Sequence, residues 1–150
     1  TLTKGTGVIN RIFHGFGKFE GEMDGRKNGA LISMSNGKAV AFAIFNLQAR
    51  GEMFVTHNDP VYEGMIVGLA PKAGDMIINV MKGKQLTNMR TQGTDENVVL
   101  TPVRQMSIAE QLSMLNTDEA LEITPKSLRL RKAILNPTDR KKNEKSGTPL

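Results

Sequence analysis

Cysteine is absent from all 150 residues, so the chain can form no disulfide framework and offers no thiolate for zinc binding or nucleophilic catalysis. That absence fits a reducing, cytoplasmic setting. Tryptophan is also absent and tyrosine occurs once, which leaves an aromatic stacking platform for single-stranded bases poorly supplied. The two histidines, His14 and His57, stand at no metal-ligand spacing, and a lone histidine beside a strand end reads as structural. No apolar run approaches the roughly 18 residues that a membrane-crossing helix needs, and no secretory leader opens the chain, so a soluble protein is expected. A phosphate-binding loop fails as well: after Gly83-Lys84 comes Gln85 where Ser or Thr is required, and Ile78 stands where the first glycine should be. Glu20 and Glu22 share a strand face with no visible partner and read as a solvated pair. No catalytic residue, metal ligand or cofactor-binding residue is assigned, and the chain itself is not expected to be an enzyme.

What is present is a surplus of positive charge. Twenty basic residues against 15 acidic ones give a formal net charge of +5, a bias toward acidic partners such as nucleic acid. The surplus is concentrated in the stretch 82–95, where Lys82, Lys84 and Arg90 precede any acid. It lies between strand-like apolar segments at 76–81 and 98–100, so it must be displayed. Its cations can face phosphates, Gln85, Thr87, Asn88, Thr91 and Gln92 offer uncharged hydrogen bonds, and Gly83 and Gly93 let backbone approach a ligand closely. A solvated connecting loop is the competing reading.

The length suits one domain with a real core. The chain starts without methionine and enters a strand-like segment at 8–13, read as a cut inside a longer protein. Gly15 and Gly17 end that segment, with Phe16 and Phe19 covering the next sheet. Turn chemistry at 24–29 leads into a strand at 30–34, and Ser35, Asn36 and Gly37 form another turn. Residues 40–50 are apolar around nearly two turns and stop at Gly51, predicting a mostly buried helix with Phe42 and Phe45 as packing residues. Strands are expected at 52–55, 61–68, 76–82 and 97–104, with Met65, Met76, Met81 and Met89 available to fill core gaps. Ser107 and Glu110 form a capping-box pattern that opens a helix through Leu115, with Ile108, Leu112 and Leu115 on one face. Strands at 121–123 and 128–131 flank a turn at 124–127, the leucines turned inward and Arg129 and Arg131 outward, followed by Lys132. That cationic row reads equally as surface ion pairing or as a contribution to RNA binding. Pro137 opens a last short helix, capped by Asn136, and a polar tail follows. The fold class is therefore mainly β with α: a small oligonucleotide-binding-like barrel or coiled sheet with a buried helix and peripheral C-terminal helices.

Several separated segments bear a family resemblance: Gly5-Thr6-Gly7-Val8-Ile9-Asn10, Asp24-Gly25-Arg26-Lys27-Asn28-Gly29, Phe45-Asn46-Leu47-Gln48, Val61-Tyr62-Glu63-Gly64-Met65-Ile66-Val67-Gly68, Lys82-Gly83-Lys84-Gln85-Leu86-Thr87-Asn88-Met89-Arg90, Gly93-Thr94-Asp95-Glu96 and Thr124-Pro125-Lys126-Ser127-Leu128-Arg129-Leu130-Arg131-Lys132. In this order they resemble the C-terminal part of the BipA/TypA family of ribosome-associated translational GTPases, over residues 3–142. The resemblance implies that residues 1–16 end a preceding elongation-factor-like domain, 17–145 form the family's C-terminal domain, and 146–150 are a flexible tail. It implies a ribosome-dependent GTPase whose GTP and Mg²⁺ sites lie upstream, a cytoplasmic location, a link to stress response, and a monomer without membrane contact. Its partners would be the ribosome, large-subunit ribosomal RNA, the acceptor end of the A-site tRNA and the upstream domains. Lys82, Gly83, Lys84, Gln85, Asn88, Arg90, Thr91, Gly93 and Thr94 are then the candidate RNA contacts, with Arg129, Arg131 and Lys132 beside them. A domain-docking module without direct RNA contact is the alternative.

Overall fold

A computed structural model describes residues 7–8, 10–18, 26–83 and 99–146. Its centre is β1, Ala30–Ser33, in which every residue is buried. It pairs antiparallel with β5, Ile66–Leu69, and parallel with β6, Met76–Ile78, while β3, Glu52–Met53, adds to the far side of β5, giving the order β3-β5-β1-β6. The two inner strands are continuous apolar runs because both faces of the sheet are covered. Side-chain alternation divides the core. Leu31 and Val67 point to one face, where Ile44, Met53, Val55 and Val80 gather. Ala30, Ile32 and Ile66 point to the other, against Leu130, Phe54, Met106, Leu115 and Leu121.

The first face is covered by α1, Ala41–Gln48. The helix expected here to be mostly buried is a surface helix: only Ala43 and Ile44 are buried, Leu47 packs partly, and Phe45 is 49% exposed. At 3.6 residues per turn Ala43, Ile44 and Leu47 form one stripe, and Phe45 falls outside it. His57 Nδ1 accepts a hydrogen bond from the Ala41 N–H at 3.2 Å, tying the start of the helix down. The second face is covered by Met106 and Leu115, which flank α2, Ile108–Ser113, and by the hairpin of β7, Glu119–Ile123, and β8, Leu128–Lys132. That hairpin pairs from Glu119 with Lys132 to Ile123 with Leu128, and its turn is closed by the Thr124 and Ser127 hydroxyls. A bridge between Met65 and Arg131 and a bond from the Lys132 N–H to the Gly64 carbonyl dock the hairpin on the main sheet. Two short strands, β2 at Gly37–Lys38 and β4 at Pro60–Val61, form a separate ribbon.

Mainly β structure with a few helices is what the sequence predicts, but no closed barrel forms among the described residues. Three open sheets do the packing instead. The segment 61–68, expected as one strand, breaks at Gly64, whose φ of +83° no strand residue adopts. Residues 99–104, expected to complete a strand from 97, have no regular structure, and positions 97–98 lie outside the described residues. The described part of the segment 8–13 forms no strand either. Phe16, after it, is fully exposed and meets Phe13 edge-on at 5.5 Å rather than covering a sheet. Phe19, Glu20, Glu22 and Met89 lie outside the described residues. Met65 is buried and Met81 packs on the core, whereas Met76 is 41% exposed.

The helix predicted from Ser107 is present with its full capping box: Ser107 Oγ accepts from the Glu110 N–H at 3.3 Å, and Glu110 Oε2 accepts from the Ser107 N–H at 2.8 Å. Its buried face is shifted from the expected one: Ile108 and Leu112 are half exposed and Gln111 is buried, while Leu115, beyond the end of the helix at Ser113, packs on the core. The last helix, α3 at Pro137–Ser146, starts at the proline and is capped by Asn136 Oδ1, which accepts from the Thr138 N–H at 2.8 Å; it buries no residue.

Candidate functional site

The cationic stretch leaves the core at the end of β6. Val80 is wholly buried, and its carbonyl accepts a hydrogen bond from the Val40 N–H at 2.9 Å, just before α1 begins. Asn79 Oδ1 accepts from the Met81 N–H at 2.9 Å, turning the chain outward, and Lys82 and Gly83 follow it into solvent. Lys84, Gln85, Asn88, Arg90, Thr91, Gly93 and Thr94 lie outside the described residues. Where the chain resumes, Leu100 packs against the α1-side core. Next to it, the Gln48 amide takes hold of the backbone of Thr101: Gln48 Nε2 donates to the Thr101 carbonyl at 2.7 Å, and the Thr101 N–H donates to Gln48 Oε1 at 3.1 Å. A side-chain amide thus replaces the strand partner that residues 99–104 lack. Both ends of the stretch are therefore fastened to one short helix, the entry at Val40 and the return at Gln48. Sequence reasoning gave Gln48 no role, because a polar residue in the last turn of an apolar helix looks like ordinary solvent exposure.

The second cationic group divides. Arg129 lies 3.6 Å from Glu122, its cross-strand partner, and both are partly exposed. Arg131 Nη1 donates to the carbonyls of Lys132 and Ala133. Lys132, expected to extend the row, points the other way: it is 1% exposed and its ammonium meets Asp75, Asp118 at 2.7 Å and Glu119 at 3.0 Å. Strand alternation is the reason, for Lys132 shares its face with Leu128 and Leu130. That parity was readable, and it marks a lysine that needs buried acids.

Glu119 supplies one of them and also receives a two-pronged contact from Arg26, at 2.7 and 3.1 Å. Arg26 Nη1 reaches the Met114 carbonyl, and Glu119 Oε2 accepts from the Asn116 N–H. Asp75 Oδ1 accepts from the Ala30 N–H at 2.7 Å, at the first residue of the central strand. Five charged side chains from four separate segments therefore join the hairpin to the sheet. Burial opposes the charged form of Lys132, but hydrogen bonds to Asp118, Asp75 and Glu119 outweigh it and hold the ammonium above its ordinary range. Burial likewise opposes ionisation of Asp75, and the Lys132 ammonium with the Ala30 N–H outweighs it, holding the carboxyl below the usual range. These are structural ion pairs. Among the described residues no group of three or more His, Cys, Asp or Glu could hold a metal ion, and no helix is long and apolar enough to cross a membrane.

Comparison with known proteins places this arrangement. Residues 28–137 match the family model described as the TypA/BipA C-terminal domain. Proteins called large ribosomal subunit assembly factor BipA share 47% identity over the whole chain in Buchnera aphidicola from Schizaphis graminum and 46% over 95% of it in Salmonella typhimurium. A second Buchnera protein, from the Baizongia pistaciae strain, is 45% identical over 94% of the chain. The chain spans about a quarter of the length of these relatives, 25%, 24% and 23% respectively. It belongs to the BipA/TypA C-terminal domain family.

Proposed function

We propose that the chain is the ribosome-binding C-terminal domain of a BipA-type translational GTPase, and that the loop at 82–94 contacts large-subunit ribosomal RNA and the acceptor end of the A-site tRNA. The observation that carries this reading is the attachment of both loop ends to α1, through Val40–Val80 and Gln48–Thr101. A displayed cationic loop whose ends are fixed can be pressed against folded RNA without first ordering its base. The relatives' description as large ribosomal subunit assembly factors supports a ribosomal partner. Lys82, Lys84 and Arg90 attract phosphate; Gly83 and Gly93 admit close backbone contact; Gln85, Asn88, Thr91 and Thr94 supply hydrogen bonds. Arg129 and Arg131 contribute at the flank, while Lys132 holds the fold. GTP hydrolysis, with its Mg²⁺, belongs to the remaining three quarters of such a protein, in the cytoplasm and in a stress response. Residues 17–145 form the working domain, and it acts as a monomer.

A second reading is domain docking, favoured by Val8, Ile12, Phe13 and Phe16, which are 77–100% exposed. Apolar side chains displayed so fully suit a surface of the upstream domains. Ribosome co-sedimentation of the chain and of its Lys82→Ala, Lys84→Ala, Arg90→Ala variant separates the two: loss of sedimentation in the variant supports RNA contact, and unchanged sedimentation supports docking.

A further inference from the structure

The last helix, α3, is fastened at its root and buries nothing. Asn136 Oδ1 caps its first turn, and Arg140 Nη1 donates to the carbonyls of Ile134 at 3.0 Å and Leu135 at 2.6 Å, clamping that turn to the chain that leaves β8. Leu135 itself covers Gly64, where an added Cβ would meet the Leu135 Cα at 2.7 Å. The body of the domain therefore sets the direction of the helix. A short helix is marginal in water unless an apolar face packs on a core, and α3 has no such face. Pro137, Arg140 and Asn143 are partly buried, and its other residues are exposed. Charge is sorted around it in the same way. The partly buried residues recur every three positions and turn toward the domain. At 3.6 residues per turn Lys141, Lys142 and Lys145 fall within one arc of about 100° on the opposite side, with Thr138 among them. Asp139 and Glu144 border that arc, one on each side. Lys142 lies 3.6 Å from Asp139, but the two side chains are 75% and 59% exposed, and a pair so solvated is weak. Lys141 and Lys145 make no ion pair among the described residues.

We propose that the lysine face of α3 is a second RNA-binding surface, which takes the phosphate backbone of a double-stranded RNA segment. Lys141 and Lys145 stand one turn apart, about 6 Å along the helix axis, with Lys142 beside them. Three point charges in such a row can follow successive phosphates of one strand. An unpaired base fits less well, because α3 carries no aromatic side chain on which it could stack. A protein partner fits less well too, since the centre of a stable protein interface is apolar or aromatic and depleted in charge, and this face has only lysines and a threonine. A bilayer surface needs an apolar side to sink among the acyl chains, which α3 also lacks. Helix and duplex backbone are therefore matched in charge and in shape. The surface lies outside the loop at 82–94. It rests on the reading of the chain as a ribosome-binding domain only for the source of the RNA.

The test is a titration of the full 150-residue chain with an RNA duplex of about 16 base pairs and, separately, with polyglutamate, read by nuclear magnetic resonance and by affinity across salt concentrations. The duplex is expected to shift the backbone amides of Thr138, Lys141, Lys142 and Lys145. Replacing the three lysines together, Lys141→Gln, Lys142→Gln and Lys145→Gln, keeps good helix formers at exposed positions, so thermal unfolding should not change. Duplex affinity at low salt should fall at least about tenfold, and the log-log salt slope should become shallower by roughly 2 to 3. The matching triple arginine variant should bind as the parent chain does. A control, Lys38→Gln, Lys72→Gln and Lys126→Gln, removes the same charge from exposed positions elsewhere and should lose less than about twofold, because separated surface charges are screened. Absence of shifts in α3, an equal loss in the control, or polyglutamate binding at the same residues with equal affinity would overturn the proposal, the last by assigning the face to an acidic protein. The triple-alanine loop variant should retain the α3 shifts, so failure here and failure of the loop are separate results.

Discussion

Gln48 and Thr101 exchange two hydrogen bonds across 53 residues of sequence, amide to carbonyl at 2.7 Å and backbone N–H to amide oxygen at 3.1 Å. Together with the Val40–Val80 bond this makes α1 the common support of the loop's entry and return. Gln48→Ala removes both bonds. A loss of about 1–2 kcal/mol in denaturant unfolding is expected, with faster hydrogen exchange at the Thr101 amide. Gln48→Glu keeps the acceptor and should retain part of the protection.

Lys132 joins Asp75, Asp118 and Glu119, so Lys132→Met leaves two partly exposed acids and one fully buried acid without their shared ammonium. Breaking such a buried pair from one side costs about 3–5 kcal/mol, measurable as a lower denaturant midpoint. Asp118→Asn, at a carboxylate that is 45% exposed, should cost under about 1 kcal/mol.

Stability should depend on pH at both ends. Asp75 and Glu110 have depressed pKa values, so each contributes stability that is present above its ordinary 3.8 or 4.5 and is lost as pH falls through the lower folded value. For Glu110 the main cause is the Ser107 N–H of the capping box, followed by the Ser107 hydroxyl and Arg104. At the alkaline end, burial and a 2.5 Å hydrogen bond to Glu122 push the Tyr62 hydroxyl up to about 12. Lys132 is also raised above 10.5. Both contributions are complete below the ordinary values and fade as pH rises through the folded ones. Unfolding free energy measured across pH should be flat near neutrality and fall below about pH 4 and above about pH 10. Tyr62→Phe should reduce the alkaline fall.

Much of this architecture was legible where a local rule acts alone. Ser107 and Glu110 announced α2, Asn136 with Pro137 announced α3, and the Leu-Arg alternation announced β8. Three features were hidden because they depend on distant partners. The burial of Lys132 follows from strand parity but needs Asp75, Asp118 and Glu119 to make it tolerable. Arg26 looked like part of a turn until Glu119 was seen beside it. The expected strand at 97–104 has suitable residues, yet Gln48 takes up the Thr101 backbone groups instead. The burial of Gln111 in α2 in place of Ile108 and Leu112 was hidden for the same reason. Of the loop contacts, only Lys82 and Gly83 lie among the described residues, so the loop's placement follows from its anchors.

Gly64 has φ of +83°, and a Cβ there would lie 2.7 Å from the Leu135 Cα. Its carbonyl also receives the Lys132 N–H. Gly74→Ala, at φ +98° with open space around it, should cost only the backbone strain, about 1–3 kcal/mol, while Gly64→Ala should cost more, because the clash with Leu135 adds to the strain. Thermal unfolding of the two variants side by side checks the difference.

The salt dependence of ribosome binding tests the central claim most directly: that Lys82, Lys84 and Arg90 neutralise phosphates. In a log-log plot of binding constant against salt concentration, the triple-alanine variant should show a slope shallower by roughly 2 to 3 than the parent chain, with unchanged thermal stability. Parallel slopes and equal affinity in the two proteins would contradict it.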